Sequence, residues 1–234
     1  GNPTFFSLWI GGNDVLGYAT SGGISANPIT PTATFNTVYN ALIAKLTAGG
    51  RKGVIANLPY VNTLPYFTTV PFKPVPLDNT KAAQLNVGYA TYNGGLDVAF
   101  NNGLISSQER LKRKINFIAG LNPVVIVDND LTNLSGLGIP SYRMTTADDL
   151  IVLPASSFIG TLVGGNPDYV NGVSVPLANK WVLTANEKAK VASATASFNA
   201  SIVSIAASKN LAVADMNAVM NQLVSGLRAD NGTI

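Results

Sequence analysis

Phe5-Phe6-Ser7-Leu8-Trp9-Ile10, running straight into Gly11-Gly12-Asn13-Asp14, is the stretch that decides how this chain folds. The first six residues read as a strand with apolar side chains on both faces, as expected inside a parallel sheet covered by helices. The glycines then interrupt the strand. Asn13 and Asp14 follow at its carboxyl end, where open α/β sheets build their ligand sites.

Working outward, a Gly/Pro/Thr-rich loop at about 17–31 leads into residues 34–46. There Phe35, Val38, Leu42, Ile43 and Leu46 recur at amphipathic helix spacing, and Gly49-Gly50 ends the pattern. Val54-Ile55-Ala56-Asn57-Leu58-Pro59 reads as a second buried strand. Strand, loop, helix, strand is one βαβ unit. At the far end Thr184-x-x-Glu187 is a capping-box pattern opening a helix through Val191, Ala194, Phe198, Ile202 and Ile205. Leu211-Ala212-Val213-Ala214 then reads as a short strand and 216–227 as a last helix.

The middle is less regular. Pro65, Pro71, Pro74 and Pro76 mark extended chain, 79–102 reads as a helix weakened by Gly94-Gly95, and a basic helix follows at about 106–115. Pro123-Val124-Val125-Ile126-Val127 and Asp149-Leu150-Ile151-Val152-Leu153 read as strands. No βα period repeats across 60–180, which reads as a long insertion or lid within a single domain spanning 1–234.

Composition narrows the function classes. At 234 residues, 47% hydrophobic and 12% charged, the chain has ample material for one core and takes its polarity from Asn, Thr, Ser and Gly. That balance fits a secreted or envelope protein. The net charge of +3 is a small excess of 15 basic over 12 acidic residues. Its dense stretch, Arg110, Lys112, Arg113 and Lys114, reads as a solvated helix face with Leu111 and Ile115 opposite, so no nucleic-acid site is expected. There is no cysteine, hence no disulfide, thiolate metal site or cysteine nucleophile. No basic n-region followed by an apolar run opens these residues, and no uninterrupted apolar run approaches a membrane span.

Gly11, Asn13 and Asp14, set after a buried strand with Trp9-Ile10 before and Val15-Leu16-Gly17 behind, resemble the Gly-x-Asn-Asp block of the SGNH/GDSL hydrolases. The resemblance implies a flavodoxin-like three-layer α/β fold with a mainly parallel sheet. It implies a lipase- or esterase-like serine hydrolase of carboxylic esters, with an acyl lipid, an acetylated sugar or an aryl ester as substrate and no cofactor. By the same resemblance Asn13 donates to the oxyanion, Gly11 gives the turn room and Asp14 supports the loop. An oxyanion needs a donor fixed where charge develops in the transition state, and an amide side chain supplies one where a carboxylate could not.

The departures from that pattern are as informative. The chain has no histidine, no Gly-Asp-Ser and no Gly-x-Ser-x-Gly elbow. Asp230-Asn231-Gly232-Thr233 puts threonine where an Asp-x-x-His pair needs its base, so Asp230 reads as a decoy. A serine hydroxyl needs a positioned base to attack an ester. The resemblance therefore places the serine and glycine blocks before residue 1 and the histidine block after Ile234, so the chain alone is expected to be inactive. A sheet lacking its first strands would leave an open edge suited to self-association. The alternative is a non-catalytic binding or structural envelope module on the same fold.

Other groups have plainer expectations. Asp128-Asn129-Asp130 lacks the glycine and glutamate of a calcium loop and reads as a strand-to-helix turn capped by Asp130. Asp148-Asp149 reads as a turn or cap, and Ser156-Ser157 as helix caps. Tyr60, Tyr66, Phe67 and Phe72 either line an ester pocket or form a satellite hydrophobic cluster.

Overall fold

The computed structural model describes residues 3–24 and 26–226, with the backbone of 228–229 and 232–233. The chain divides into two compact units, one of Gly1–Thr20, Ser25–Pro65 and Glu187–Ile234, the other of Ser21–Ile24 and Tyr66–Asn186.

The first unit opens with strand β1 (Phe5–Leu8), helix α1 (Asn13–Thr20), helix α2 (Thr32–Leu46) and strand β2 (Lys52–Ala56). β1 and β2 run parallel, with Phe5 opposite Lys52 and Leu8 opposite Ile55. The strand-helix-strand order read from the sequence is present through α2, but α1 is an additional helix whose last four residues the sequence reading put in the loop. α2 buries Phe35, Tyr39 and Ile43, a stripe at four-residue spacing, while Val38 is 63% exposed. The inward face is thus rotated from the expected one, because Tyr39 supplies its centre. The Phe35 ring stacks on Tyr39 at 5.2 Å and on Phe198 at 4.1 Å between centroids.

The second unit contains helices α3 (Pro65–Thr68), α4 (Asn79–Gly88), α5 (Ala90–Asn101) and α6 (Ser107–Arg113). Its strands are β3 (Val75–Leu77), β4 (Gly120–Asn122), β5 (Val125–Val127), β6 (Tyr142–Met144), β7 (Leu150–Ile151), β8 (Leu162–Val163), β9 (Asn166–Val170) and β10 (Val182–Leu183). They pair antiparallel two by two, β3 with β4, β5 with β6, β7 with β10 and β8 with β9. The helix expected over 79–102 is two helices that break at Tyr89, whose buried hydroxyl donates to the Val173 carbonyl at 2.7 Å. Gly94-Gly95 does not break it. A Cβ at Gly95 would stand 3.1 Å from Ile139 Cδ1, so that glycine lets Ile139 close on the helix. Leu96, Ala99, Ile105, Leu134 and Ile139 form the core there.

Two buried arginines organise this unit, and the first corrects the sequence reading. Arg113 is fully buried and donates to the carbonyls of Thr132 and Pro140 at 2.9 and 2.8 Å and to Glu109 at 3.3 Å. Leu111 is 65% exposed, so the basic helix turns a guanidinium inward where a leucine was expected. Arg110 and Lys114 pair with Asp97. Arg143 on β6 bridges the buried carboxylates of Asp128 and Asp149.

α7 (Ala185–Lys209) begins directly after Thr184, where the capping pattern puts it, and buries Val191, Thr195, Phe198, Ile202 and Ile205. Among the described residues it is the one helix long and apolar enough to cross a membrane. Its buried stripe at three- and four-residue spacing reads equally as a core helix. β11 (Ala212–Ala214) pairs in parallel with β2, Val213 opposite Ile55, and helix α8 (Met216–Ser225) follows. The first unit therefore holds a three-stranded, all-parallel sheet in the order β1-β2-β11. The fold class is mixed α/β.

Candidate functional site

The turn after β1 is built around one glycine. Gly11 is buried with φ of +113°, and a Cβ there would stand 2.9 Å from Phe35 Cε2 and 3.3 Å from Leu58 Cδ1. L side chains rarely adopt that backbone, and Phe35 leaves no space for one. The Asp14 amide donates to the Gly11 carbonyl at 3.2 Å, and those of Val15 and Leu16 to Gly12 at 3.2 and 2.9 Å. The strand thus converts into α1 within one turn. Asn13 becomes the first helical residue with an exposed side chain, and Asp14 sits half-buried beside it. The first amides of a helix have no intrahelical acceptor and carry the positive end of its dipole, so donors gather at this corner.

The carboxyl ends of β2 and β11 are tied to each other. Asn57, just past β2, donates through Nδ2 to Asp215 Oδ1 at 2.7 Å and accepts from the Asn217 amide at 3.0 Å. Asp215 also caps α8, accepting from the Ala218 amide at 3.0 Å. The Asn57 hydrogen bond first, then the α8 amides, holds the Asp215 carboxyl below the usual range. Just beyond, Asn199 on α7 pairs with both backbone groups of Leu58, accepting from its amide at 2.7 Å and donating to its carbonyl at 2.8 Å. Sequence inspection placed Asn57 and Asp215 at strand ends. It missed their link and the Asn199 clamp, since contacts about 150 residues apart leave no local signature.

A cavity of about 260 Å³ opens next to Gly11 and Asp14. Ile10, Phe35, Val38 and Leu42 form apolar walls, and Tyr39 lines it. Asn13 is not among the lining residues. The Tyr39 hydroxyl is buried without a hydrogen-bond partner, and burial pushes it up to about 12.

The remaining sequence candidates are structural. Asp128 accepts from Arg143 and, through Oδ1, from the Asp130 amide at 2.9 Å. No helix follows, and Asp130 accepts from Asn186 Nδ2 at 3.0 Å instead of capping one. Asp149 is buried, and it accepts from the amides of Thr146 at 2.7 Å and of Ala185, the first residue of α7, at 3.0 Å. The cavity beside this network is about 40 Å³, and its charges already engage one another. Ser156 and Ser157 lie inside a short 3₁₀ turn and donate back to the carbonyls of Leu153 and Pro154, so neither is a cap. Phe67 is buried, with its ring edge against Tyr66 at 5.0 Å between centroids, while Tyr60 and Phe72 are half-buried. Asp230 lies outside the described residues. Among the described residues no group of three or more acidic side chains could hold a metal ion.

Compared with family models, curated proteins and solved structures, the chain has no match in any of the three.

Proposed function

We propose that this chain is part of a serine ester hydrolase of the SGNH/GDSL type, with Asn13 as an oxyanion donor. The observation that supports it is the position of Asn13. It is exposed at the carboxyl end of a parallel strand and at the start of a helix, beside a glycine that only a tight turn explains. Gly11 gives the turn its conformation and Asp14 supports the loop. With no histidine among the 234 residues, the nucleophilic serine and its base come from outside them. In this reading the parallel sheet is part of a flavodoxin-like arrangement, the stretch 60–180 is an insertion in it, and the protein works in the periplasm or at the cell surface.

The free edge of β1 then accepts a further strand, and in its absence pairs with another copy. Phe5 and Trp9 are 60% and 58% exposed there. Light scattering that finds only monomer at every concentration removes the self-pairing.

The test is to read the source gene on both sides of this segment and assay its full product on 4-nitrophenyl butyrate. In-frame Gly-Asp-Ser upstream and Asp-x-x-His downstream should accompany hydrolysis, with the 234-residue chain inactive by itself. A gene lacking both blocks removes the hydrolase, leaving a non-catalytic binding module on the same fold.

A further inference from the structure

Asn102-Gly103, at the carboxyl end of α5, carries an inference that does not depend on ester hydrolysis. We infer that it is a site of covalent self-modification, where Asn102 converts to aspartate and isoaspartate through a cyclic imide while the rest of the fold stays intact.

The chemistry needs water and no other reagent. The Gly103 amide nitrogen loses its proton to base and attacks Asn102 Cγ. A C–N bond forms, and Nδ2 takes up a proton and leaves as ammonia. Water then opens the imide. Cleavage of the new bond to Cγ leaves aspartate in a normal chain, and cleavage at the Asn102 main-chain carbonyl leaves isoaspartate. A glycine after the asparagine favours attack, because no side chain hinders the approach of its nitrogen.

Residue order offers four such pairs: Asn93-Gly94, Asn102-Gly103, Asn171-Gly172 and Asn231-Gly232, the last outside the described residues. Tertiary structure separates the other three. Asn93 lies inside α5, where Nδ2 donates to the Ile115 carbonyl at 2.8 Å and Oδ1 accepts from the Ile115 amide at 3.0 Å. Asn171 is 8% exposed, and its amide and Nδ2 donate to the Thr161 carbonyl and hydroxyl at 3.0 Å each. The Gly172 amide donates to the Val175 carbonyl at 2.7 Å. Cyclisation at either pair breaks these interior bonds.

At Asn102 the cost is local. Residues 101–104 are all exposed, and Asn102 Nδ2 donates to the Val98 carbonyl at 2.8 Å on the helix surface, where water replaces it. Gly103 has φ of +71°, and its amide and that of Leu104 donate to the Phe100 and Ala99 carbonyls at 2.9 Å each, which closes the helix. Asn102 has ψ of 7° and must rotate to bring Cγ to the Gly103 nitrogen. That rotation opens the last turn of α5, and exposed helix ends open at far lower cost than interiors.

The products strain this corner. A carboxylate at the carboxyl end of α5 opposes the helix dipole. Isoaspartate also lengthens the main chain just before Ile105, which is buried in one cluster with Leu96 and Ala99.

The experiment is incubation of the 234-residue chain at mildly alkaline pH, in buffer and in concentrated urea. Digestion in acid, where imide formation is slow, is followed by mass spectrometry that separates aspartyl from isoaspartyl peptides. In buffer the Asn102 peptide should convert at least roughly tenfold faster than those of Asn93 and Asn171, and in urea the three rates should converge to within about threefold. Equal rates in buffer, or faster conversion at Asn93 or Asn171, overturn the proposal. So does an Asn102 peptide that converts in urea and stays unchanged in buffer.

Discussion

Arg143 and Asp149 form a forked ion pair inside the second unit, Nη1 to Oδ2 at 2.7 Å and Nη2 to Oδ1 at 2.9 Å, with 2% and 0% of the side chains exposed. The other side of the same guanidinium donates to Asp128. Removing Arg143 strands two buried carboxylates, and breaking a buried pair from one side costs about 3–5 kcal/mol. Arg143→Met should therefore lower stability by at least that much in urea denaturation. A loss of less than 1 kcal/mol would show that water already reaches the pair.

Acid should act on the same network. Burial pushes the Asp149 and Asp128 carboxyls up, but the hydrogen bonds and charge of Arg143, helped by nearby amides, outweigh it and hold both below the usual range. A carboxyl depressed in the folded state adds stability that is complete above its unfolded value of about 4 and is lost as pH falls through the folded value. Urea midpoints should hold steady from neutral pH to about 4 and then drop. The deficit of Arg143→Met should shrink over the same acid range, and a deficit unchanged at pH 3 would contradict this.

Gly11→Ala tests the corner that presents Asn13. The new Cβ meets Phe35 at 2.9 Å on a backbone with φ of +113°. The substitution should destabilise by more than about 1 kcal/mol, whereas Gly12→Ala, whose Cβ would meet nothing nearer than Leu16 Cδ1 at 3.7 Å, should cost less. Equal effects on the thermal midpoint would mean that the turn relaxes freely.

Asn199→Leu removes both bonds to the Leu58 backbone. Leaving that amide and carbonyl unpaired should cost about 1–3 kcal/mol. Hydrogen exchange at the Leu58 amide should speed up accordingly, and unchanged exchange would show that water replaces the side chain.

Asn13→Ala in the full gene product should lower kcat about a hundred- to a thousandfold, with little change in KM or thermal midpoint. Unchanged turnover removes Asn13 from the mechanism and leaves Gly11 with a purely structural reason.

The parallel β1 and β2, helix α2 between them, the start of α7 and the short strand at 212–214 were all legible in the sequence, whereas α1 was not. Each rests on a local pattern: an apolar run, helical spacing or a capping pair. The two arginines were not. A buried Arg113 and an exposed Leu111 invert the usual preference, and only the carbonyls of Thr132 and Pro140 make that arrangement favourable. The corner at Gly11–Asp14 was visible as a motif, but the cavity beside it was not. Val38 and Leu42 were read as inward-facing, whereas they wall an opening because Tyr39 takes the core position.

By itself the sequence determined which segments are apolar, where glycines and capping residues end them, and that no histidine or cysteine is present to do chemistry. Those properties depend on residue identity and spacing along the chain. Tertiary structure alone decided which polar groups are buried together, as with Arg143 and Asp149, and which are left without a partner, as with the Tyr39 hydroxyl. Burial and hydrogen bonding are set by neighbours brought from far along the chain, and the free energy of a polar group depends on those neighbours more than on its own identity.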